Sequence, residues 1–289
     1  MIEKYKYVNH INETLNFGQD GLFANESDLR DYDWNSISAN DRISEFSKGI
    51  VNKTIPVFIR CQSEEEGLEL KNRLFEVIEK DVLVAQHGKM IVGDYYCKCF
   101  LKASEKSKYL VDKRLLKTSL TMTTDFPSWI KETTVVFRPT VSSGDDNNQG
   151  SQLRSGIVLG KRNFDYNFDF PYDYTSEMLN KTLNNTGFVA SAFKMIIYGT
   201  CTNPTIHIAG HTYQVNVEVG ENEYLSIDSL TKTIILTHYD GTEENVFNKR
   251  NKNSYIFQQI PSGQNVVTWD GYYGFDVILY EERSEPKWI

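Results

Sequence analysis

Two histidines, His207 and His211, stand four residues apart, the spacing at which a helix would offer both imidazoles to one zinc ion. The residues around them argue against a helix. Ile206-His207-Ile208-Ala209-Gly210-His211-Thr212-Tyr213 is β-branched with an Ala-Gly turn at its centre, which places the two histidines on opposite arms of a hairpin. No Glu lies between them to act as general base, and this removes a metalloprotease reading. Cys97 and Cys99 put two thiols on one face of a strand, but a closed zinc site wants four ligands, and Cys61 and Cys201 fall singly. The thiols are read as small buried hydrophobes. Asp145-Asp146-Asn147-Asn148 supplies the hard oxygens that calcium prefers, without the spacing or closing Glu of an EF-hand loop, and is read as a solvated loop. In Trp269-Asp270-Gly271-Tyr272-Tyr273 the rings of Trp269 and Tyr272 could form a sugar-stacking platform, and the same residues would also serve as core and turn of a sandwich. There is no Gly-x-Ser-x-Gly elbow, no phosphate-cradling loop and no dinucleotide fingerprint. The expectation is a protein that is not an enzyme, with no catalytic, cofactor-binding or metal-binding residue to name and no cofactor.

The chain's composition narrows its partners. At 289 residues it suits two domains, each able to bury its own core. A net charge of −8 argues against a nucleic-acid binder, which needs a clustered basic face. The densest basic group, Lys102, Lys106, Lys108, Lys113 and Arg114, reads as a solvated face. Asn-X-Ser/Thr triplets at Asn12, Asn25, Asn52, Asn180 and Asn184 raise the question of export. Met1-Ile2-Glu3-Lys4-Tyr5 is followed by polar residues, and no apolar run approaches the roughly 20 residues of a membrane span. The expectation is therefore a product of a cytoplasm, with no membrane insertion and with reduced thiols.

The elements that must position these residues are mostly strands. Ser63 and Glu66 form a capping box, and Leu70, Leu74, Val77 and Ile78 then share one helical face until Asp81. Ile55, Val57, Ile59 and Cys61 alternate before it as a half-buried strand. After the helix come residues 82–86, a turn at His87-Gly88, and a run from 89 to 101 with the shape of a hairpin; a further strand lies around 119–123. Residues 142–155 are rich in Gly, Ser, Asp, Asn and Gln and read as an exposed loop. A short helix capped by Thr175 and carrying Met178, Leu179 and Leu183 is expected next. Thereafter strands recur at short intervals, with strict alternation at Tyr213, Val215, Val217 and Val219, a turn at Asp240-Gly241, and a last strand from 275 to 280, the pattern of an antiparallel sandwich. Trp288 is expected to dock back on the protein or a neighbouring subunit.

An ordered set of short segments resembles the distal tail proteins of bacteriophages with long non-contractile tails. In the first half these are Asn16-Phe17-Gly18, the capped helix, Gly93-Asp94-Tyr95-Tyr96 leading into Cys97-Lys98-Cys99-Phe100-Leu101, and Asp125-Phe126-Pro127-Ser128-Trp129. In the second half they are Phe168-Asp169-Phe170-Pro171-Tyr172-Asp173-Tyr174, Ile197-Tyr198-Gly199-Thr200-Cys201-Thr202-Asn203-Pro204-Thr205-Ile206, Tyr224-Leu225-Ser226-Ile227-Asp228-Ser229 and Arg283-Ser284-Glu285-Pro286-Lys287-Trp288. The resemblance implies a mainly β protein. Residues 1–134 would be a belt domain, a β-sandwich or split barrel with one helix and a long hairpin, and residues 135–289 a galectin-like antiparallel β-sandwich. It implies a structural hub of the tail tip, or baseplate, of the virion: a hexameric ring of belt domains joining the tail-tube protein to a tail-associated lysin or tail fibre, with a receptor-binding protein as a further partner. DNA would pass through the ring without tight binding, and assembly would take place in the host bacterial cytoplasm. Asn203-Pro204 is followed by Thr205 where a galectin sugar motif has Arg. A second class is a host-surface carbohydrate-binding module acting through Trp269 or Tyr272.

Overall fold

The structure, a computed structural model, describes residues 5–25, 27–107, 112–139 and 181–288. The chain divides into two compact units: Met1–Thr133 with Tyr280–Ile289, and Thr134–Leu279. The second unit differs from the expected 135–289 at its far end, because the chain's last ten residues return to the first unit. The expected loop at 142–155, with Asp145 to Asn148, lies outside the described residues.

Unit 1 contains β1 (Tyr5–Val8), β2 (Thr14–Phe17), β3 (Leu22–Ala24), β4 (Asn35–Ala39), β5 (Arg42–Ser47), β6 (Val51–Arg60), α1 (Glu64–Val84), β7 (Gly88–Val92), β8 (Tyr95–Ser107), β9 (Leu115–Thr124) and the start of β10 (Trp129–Phe137). Its strands pair antiparallel in the order β2-β1-β7-β8-β9-β6-β3. The long β8 makes this possible: residues 95–99 pair with β7, residues 100–107 pair with β9, and an irregularity at Leu101/Ala103 lies in the second half. Helix α1 starts as its sequence requires. Ser63 Oγ accepts the Glu66 amide at 3.2 Å, Glu66 Oε2 accepts the Ser63 amide at 3.4 Å, and three glutamates occupy the first turn. Leu74, Val77 and Ile78 turn inward against Tyr7, Phe17, Ile55, Met90 and Cys99. The helix does not stop at Asp81 as expected. Asp81 is itself an inward position, so the helix runs to Val84 and ends where Ala85 adopts the left-handed conformation at φ 53°. Gly88 is required at the start of β7, since a Cβ there would collide with the Tyr7 hydroxyl and the Asp81 carboxylate.

The far end of the chain is fastened within unit 1. Arg30 Nη1 donates to the Pro286 carbonyl at 2.6 Å, and its guanidinium lies 3.9 Å from the centroid of the Trp288 ring. Trp288 touches its own chain through Arg30 but remains 73% exposed, so its ring is not docked into a core as expected. Lys102, Lys106, Lys113 and Arg114 are exposed, and Lys108 lies outside the described residues.

Unit 2 contains β11 (Lys181–Asn185), β12 (Ala192–Tyr198), β13 (Cys201–Thr202), β14 (Thr205–Ile208), β15 (His211–Gln214), β16 (Glu218–Val219), β17 (Tyr224–Asp228), β18 (Thr233–Thr237), β19 (Glu243–Asn245), β20 (Gly263–Thr268) and the first part of β21 (Phe275–Arg283). One sheet has the order β19-β18-β17-β12-β21 and the other β11-β20-β14-β15. Phe193, Ile197, Leu225 and Val277 from the first meet Leu183, Ile206, Tyr213 and Val267 from the second in one core, which makes this unit an antiparallel sandwich. Leu183, expected on a helix, is a buried strand residue of β11, because its alternation with Asn185 fits a sheet face; residues 175–180 lie outside the described set.

Candidate assembly interface

The residues with possible chemistry are placed by the sandwich and barrel-like sheets, and most are structural. β14 and β15 form the hairpin expected around Ala209-Gly210, with His207 opposite Thr212 and His211 opposite Ile208. His207 Nδ1 lies 3.1 Å from Thr212 Oγ1, and His211 Nε2 lies 2.9 Å from the Tyr255 carbonyl and 3.1 Å from Ser254 Oγ. Each imidazole thus has its own separate partners. Cys97 and Cys99 are buried on one face of β8, and burial raises both thiols, Cys97 to about 11, so both remain protonated. Among the described residues no three His, Cys, Asp or Glu side chains cluster to hold a metal ion. No described helix is long and apolar enough to cross a membrane.

The expected sugar platform is split by burial. Trp269 is a core residue, 1% exposed, with its Nε1 donating to the Tyr273 carbonyl at 3.0 Å and its ring set edge-on to Phe137 and Phe275. It offers no face to a ligand, because the sandwich core needs its area. Tyr272 alone of the pair is exposed.

The surface with the clearest need for a partner was not signalled by any chemical motif. β4 and β5 form a two-stranded sheet of their own, joined at Asn40-Asp41, where both residues have positive φ (52° and 58°), as a tight hairpin turn demands. Almost every residue of this arm is exposed, including Ile37, Ile43 (61%) and Phe46 (54%), and Tyr32, Trp34 and Ile50 flank it equally open. An isolated hairpin is marginal in water, and clustered exposed aliphatic and aromatic side chains mark a surface meant to be covered. Its root is firmly held. Lys48 Nζ sits 4.3 Å from the Trp34 ring centroid and donates to the Pro127 carbonyl at 3.2 Å. The ammonium of buried Lys53 donates to the carbonyls of Asp28, at 2.9 Å, and Asp31, while Asp28 Oδ1 accepts the Thr54 amide at 2.7 Å. Burial lowers the affinity of both lysines for protons. A cavity of about 210 Å³ remains at this root, lined by Lys48, Lys53, Tyr32, Cys97 and Trp129 among others.

Unit 2 carries one polar cluster with a testable titration. His238 Nδ1 is 2.7 Å from Glu223 Oε1, Glu223 Oε2 accepts the Gly220 amide at 2.8 Å, and Glu244 lies 3.7 Å from His238 Nε2. The hydrogen bond to Glu223 raises the imidazole above its ordinary 6.5, and the same bond holds Glu223 below 4.5. Because the folded histidine is raised, its contribution is complete below 6.5 and fades as pH rises through the elevated value. Because the folded glutamate is depressed, its contribution is complete above 4.5 and fades as pH falls through the lowered value. The pair thus supports the fold most fully between these limits. An NMR titration should find His238 above an exposed histidine and should bring it down in Glu223→Gln; an unchanged midpoint in that variant would discount the bond.

No family model matches the chain, and no curated protein sequence matches it. Solved structures do match in fold. The chain is similar to the phage SPP1 Dit (gp 19.1) protein, described as a paradigm of the hub adsorption apparatus in phages infecting Gram-positive hosts, with 8% identity and a TM-score of 0.57 over 96% of this chain and 99% of that one. It is similar to a chain of the phage P2 baseplate in its activated conformation with Ca, with 12% identity and a TM-score of 0.59 over 99% of this chain and 100% of the other. The corresponding baseplate structure with Sr gives 13% identity, a TM-score of 0.59 and the same coverage. In its described residues this chain therefore has the mainly β fold of those hub and baseplate chains.

Proposed function

We propose that this protein is a structural hub of a phage tail tip, without enzymatic activity, whose first domain closes into a hexameric ring. The reading is carried by the likeness in fold to hub and baseplate chains over essentially the whole of both partners. The exposed arm of β4 and β5 supports it, because a heterologous contact repeated by rotation covers such a hairpin in every copy and leaves no open end. In this reading the belt, expected at residues 1–134, is the unit of residues 1–133 with 280–289, and the sandwich, expected at 135–289, is the unit of residues 134–279. The ring joins the tail-tube protein on one side to a lysin, fibre or receptor-binding protein on the other. The net charge of −8 suits a lumen that lets DNA pass without holding its phosphates.

Light scattering and negative-stain imaging of the purified chain, alone and with its tube or tip neighbours, should give rings of six times the chain mass. Changing Ile37, Ile43 and Phe46 together to Ser should abolish the ring and leave a folded monomer with an unchanged melting profile, since all three side chains lie largely in solvent. Monomers in every mixture, or rings that survive the triple change, would remove the arm from the proposal.

A further inference from the structure

Two exposed tyrosines distant in sequence, Tyr198 and Tyr224, stand side by side at one end of a sandwich sheet, with exposed Tyr239 and Tyr272 in the loops that follow its neighbouring strand and precede β21. Tyr198, the last residue of β12, is the register partner of Tyr224, the first of β17, and both point outward because their neighbours Ile197 and Leu225 are buried. On one side Tyr224 pairs with Thr237 of β18, and Tyr239 follows two residues later at the adjoining turn. On the other side the Tyr198 amide donates to the Gly274 carbonyl at 3.0 Å, which brings in the loop of Tyr272 and the start of β21. There the Tyr198 hydroxyl donates to Asp276 Oδ2 at 2.8 Å. Tyr198 is 41% exposed and Tyr224 38%, while Tyr272 and Tyr239 are more open still. The end of the sheet thus carries the paired rings of Tyr198 and Tyr224, the Asp276 carboxylate at the Tyr198 hydroxyl, and the loops that bear Tyr239 and Tyr272, together called the row below.

We infer that this row binds a neutral glycan chain laid across the strand ends. Tyrosine gives a rigid apolar face for the C–H faces of sugar rings and a hydroxyl for their polar edges, with little rotamer freedom to lose. The carboxylates of Asp276 and Asp240 accept hydrogen bonds from sugar hydroxyls. Neighbouring strands lie about 4.8 Å apart, so a saccharide crossing them meets an aromatic or an accepting group at each step. Charge selects the class of glycan. Segments 198–200, 220–224, 237–242 and 270–276 contain Glu221, Glu223, Asp240, Asp270 and Asp276 and no Lys or Arg, and His238 is already tied to Glu223. Such a surface repels a phosphate-bearing polymer and is compatible with an uncharged one. The site is independent of ring formation, because every residue in it belongs to unit 2.

The test uses the full chain, titrated by calorimetry and ligand-observed NMR with linear hexasaccharides of glucose, galactose, rhamnose and N-acetylglucosamine, and with polyglycerol phosphate. At least one neutral hexasaccharide should bind, and polyglycerol phosphate should not. Tyr224→Ala and Tyr239→Ala should each weaken that binding by about tenfold. Tyr198→Phe, which keeps the ring and loses the bond to Asp276, should weaken it less than Tyr198→Ala. Tyr255→Ala, an exposed ring outside the row, should bind as the unaltered chain, and thermal melts of all variants separate lost binding from lost fold. Failure of every neutral hexasaccharide, stronger binding of the phosphate polymer, or undiminished binding by folded Tyr224→Ala and Tyr239→Ala would each overturn the assignment. A partner protein found on this face with no saccharide bound counts among those failures.

Discussion

Asp81→Ala is expected to destabilise unit 1 by about 2–5 kcal/mol, the range for stranding two hydrogen-bond donors at a buried site. Asp81 is wholly buried, and its carboxylate is fully used: Oδ2 accepts from the Tyr7 hydroxyl, while Oδ1 accepts the His10 amide at 2.9 Å and lies 2.5 Å from His10 Nδ1. Burial and the neighbouring carboxylate push the Tyr7 phenol far up, so it stays a donor at any ordinary pH. Alanine strands that hydroxyl and the His10 amide without acceptors in the core, and each such orphan costs about 1–3 kcal/mol. Asparagine keeps one acceptor and should lose less. Adding Tyr7→Phe removes one of the stranded donors, so the double variant should cost clearly less than the sum of the singles. Urea denaturation followed in unit 1 would show this. A loss within 0.5 kcal/mol for Asp81→Ala, or strict additivity with Tyr7→Phe, would mean the network is idle.

Trp269→Ala should be the most damaging single change in unit 2, at about 3–5 kcal/mol, whereas Tyr272→Ala, three residues on, should fall within about 0.5 kcal/mol. The indole packs edge-on against the stacked rings of Phe137 and Phe275, and its N–H is satisfied by the Tyr273 carbonyl, so truncation leaves both a void and an unpaired carbonyl. Calorimetry of the two variants separates a core residue from a surface one. Equal, small effects would return Trp269 to the surface, and with it the sugar platform expected from sequence.

How far the sequence spoke depended on how local the deciding physics was. The capping box of α1, the hairpin at His207 and His211 and the alternation of β21 depend on neighbouring residues, and each was readable. Whether Trp269 or Tyr272 faces inward depends on which strand covers it, and no short window carries that information. The arm of β4 and β5 is hard to read in the sequence because serines and a bulge at Ile37/Ser38 interrupt its alternation, leaving only the Asn40-Asp41 turn as a signal. The tyrosine pair at the sheet end is invisible for a further reason: Tyr198 and Tyr224 become neighbours only through antiparallel register.

The return of residues 280–289 to unit 1 imposes an order on synthesis. A ribosome delivers the whole of residues 134–279 before it delivers the last strand segment and the Pro286 carbonyl and Trp288 ring that Arg30 holds. Unit 1 is therefore discontinuous: the segment that begins it stays without its closing partners until all of residues 134–279 have been made.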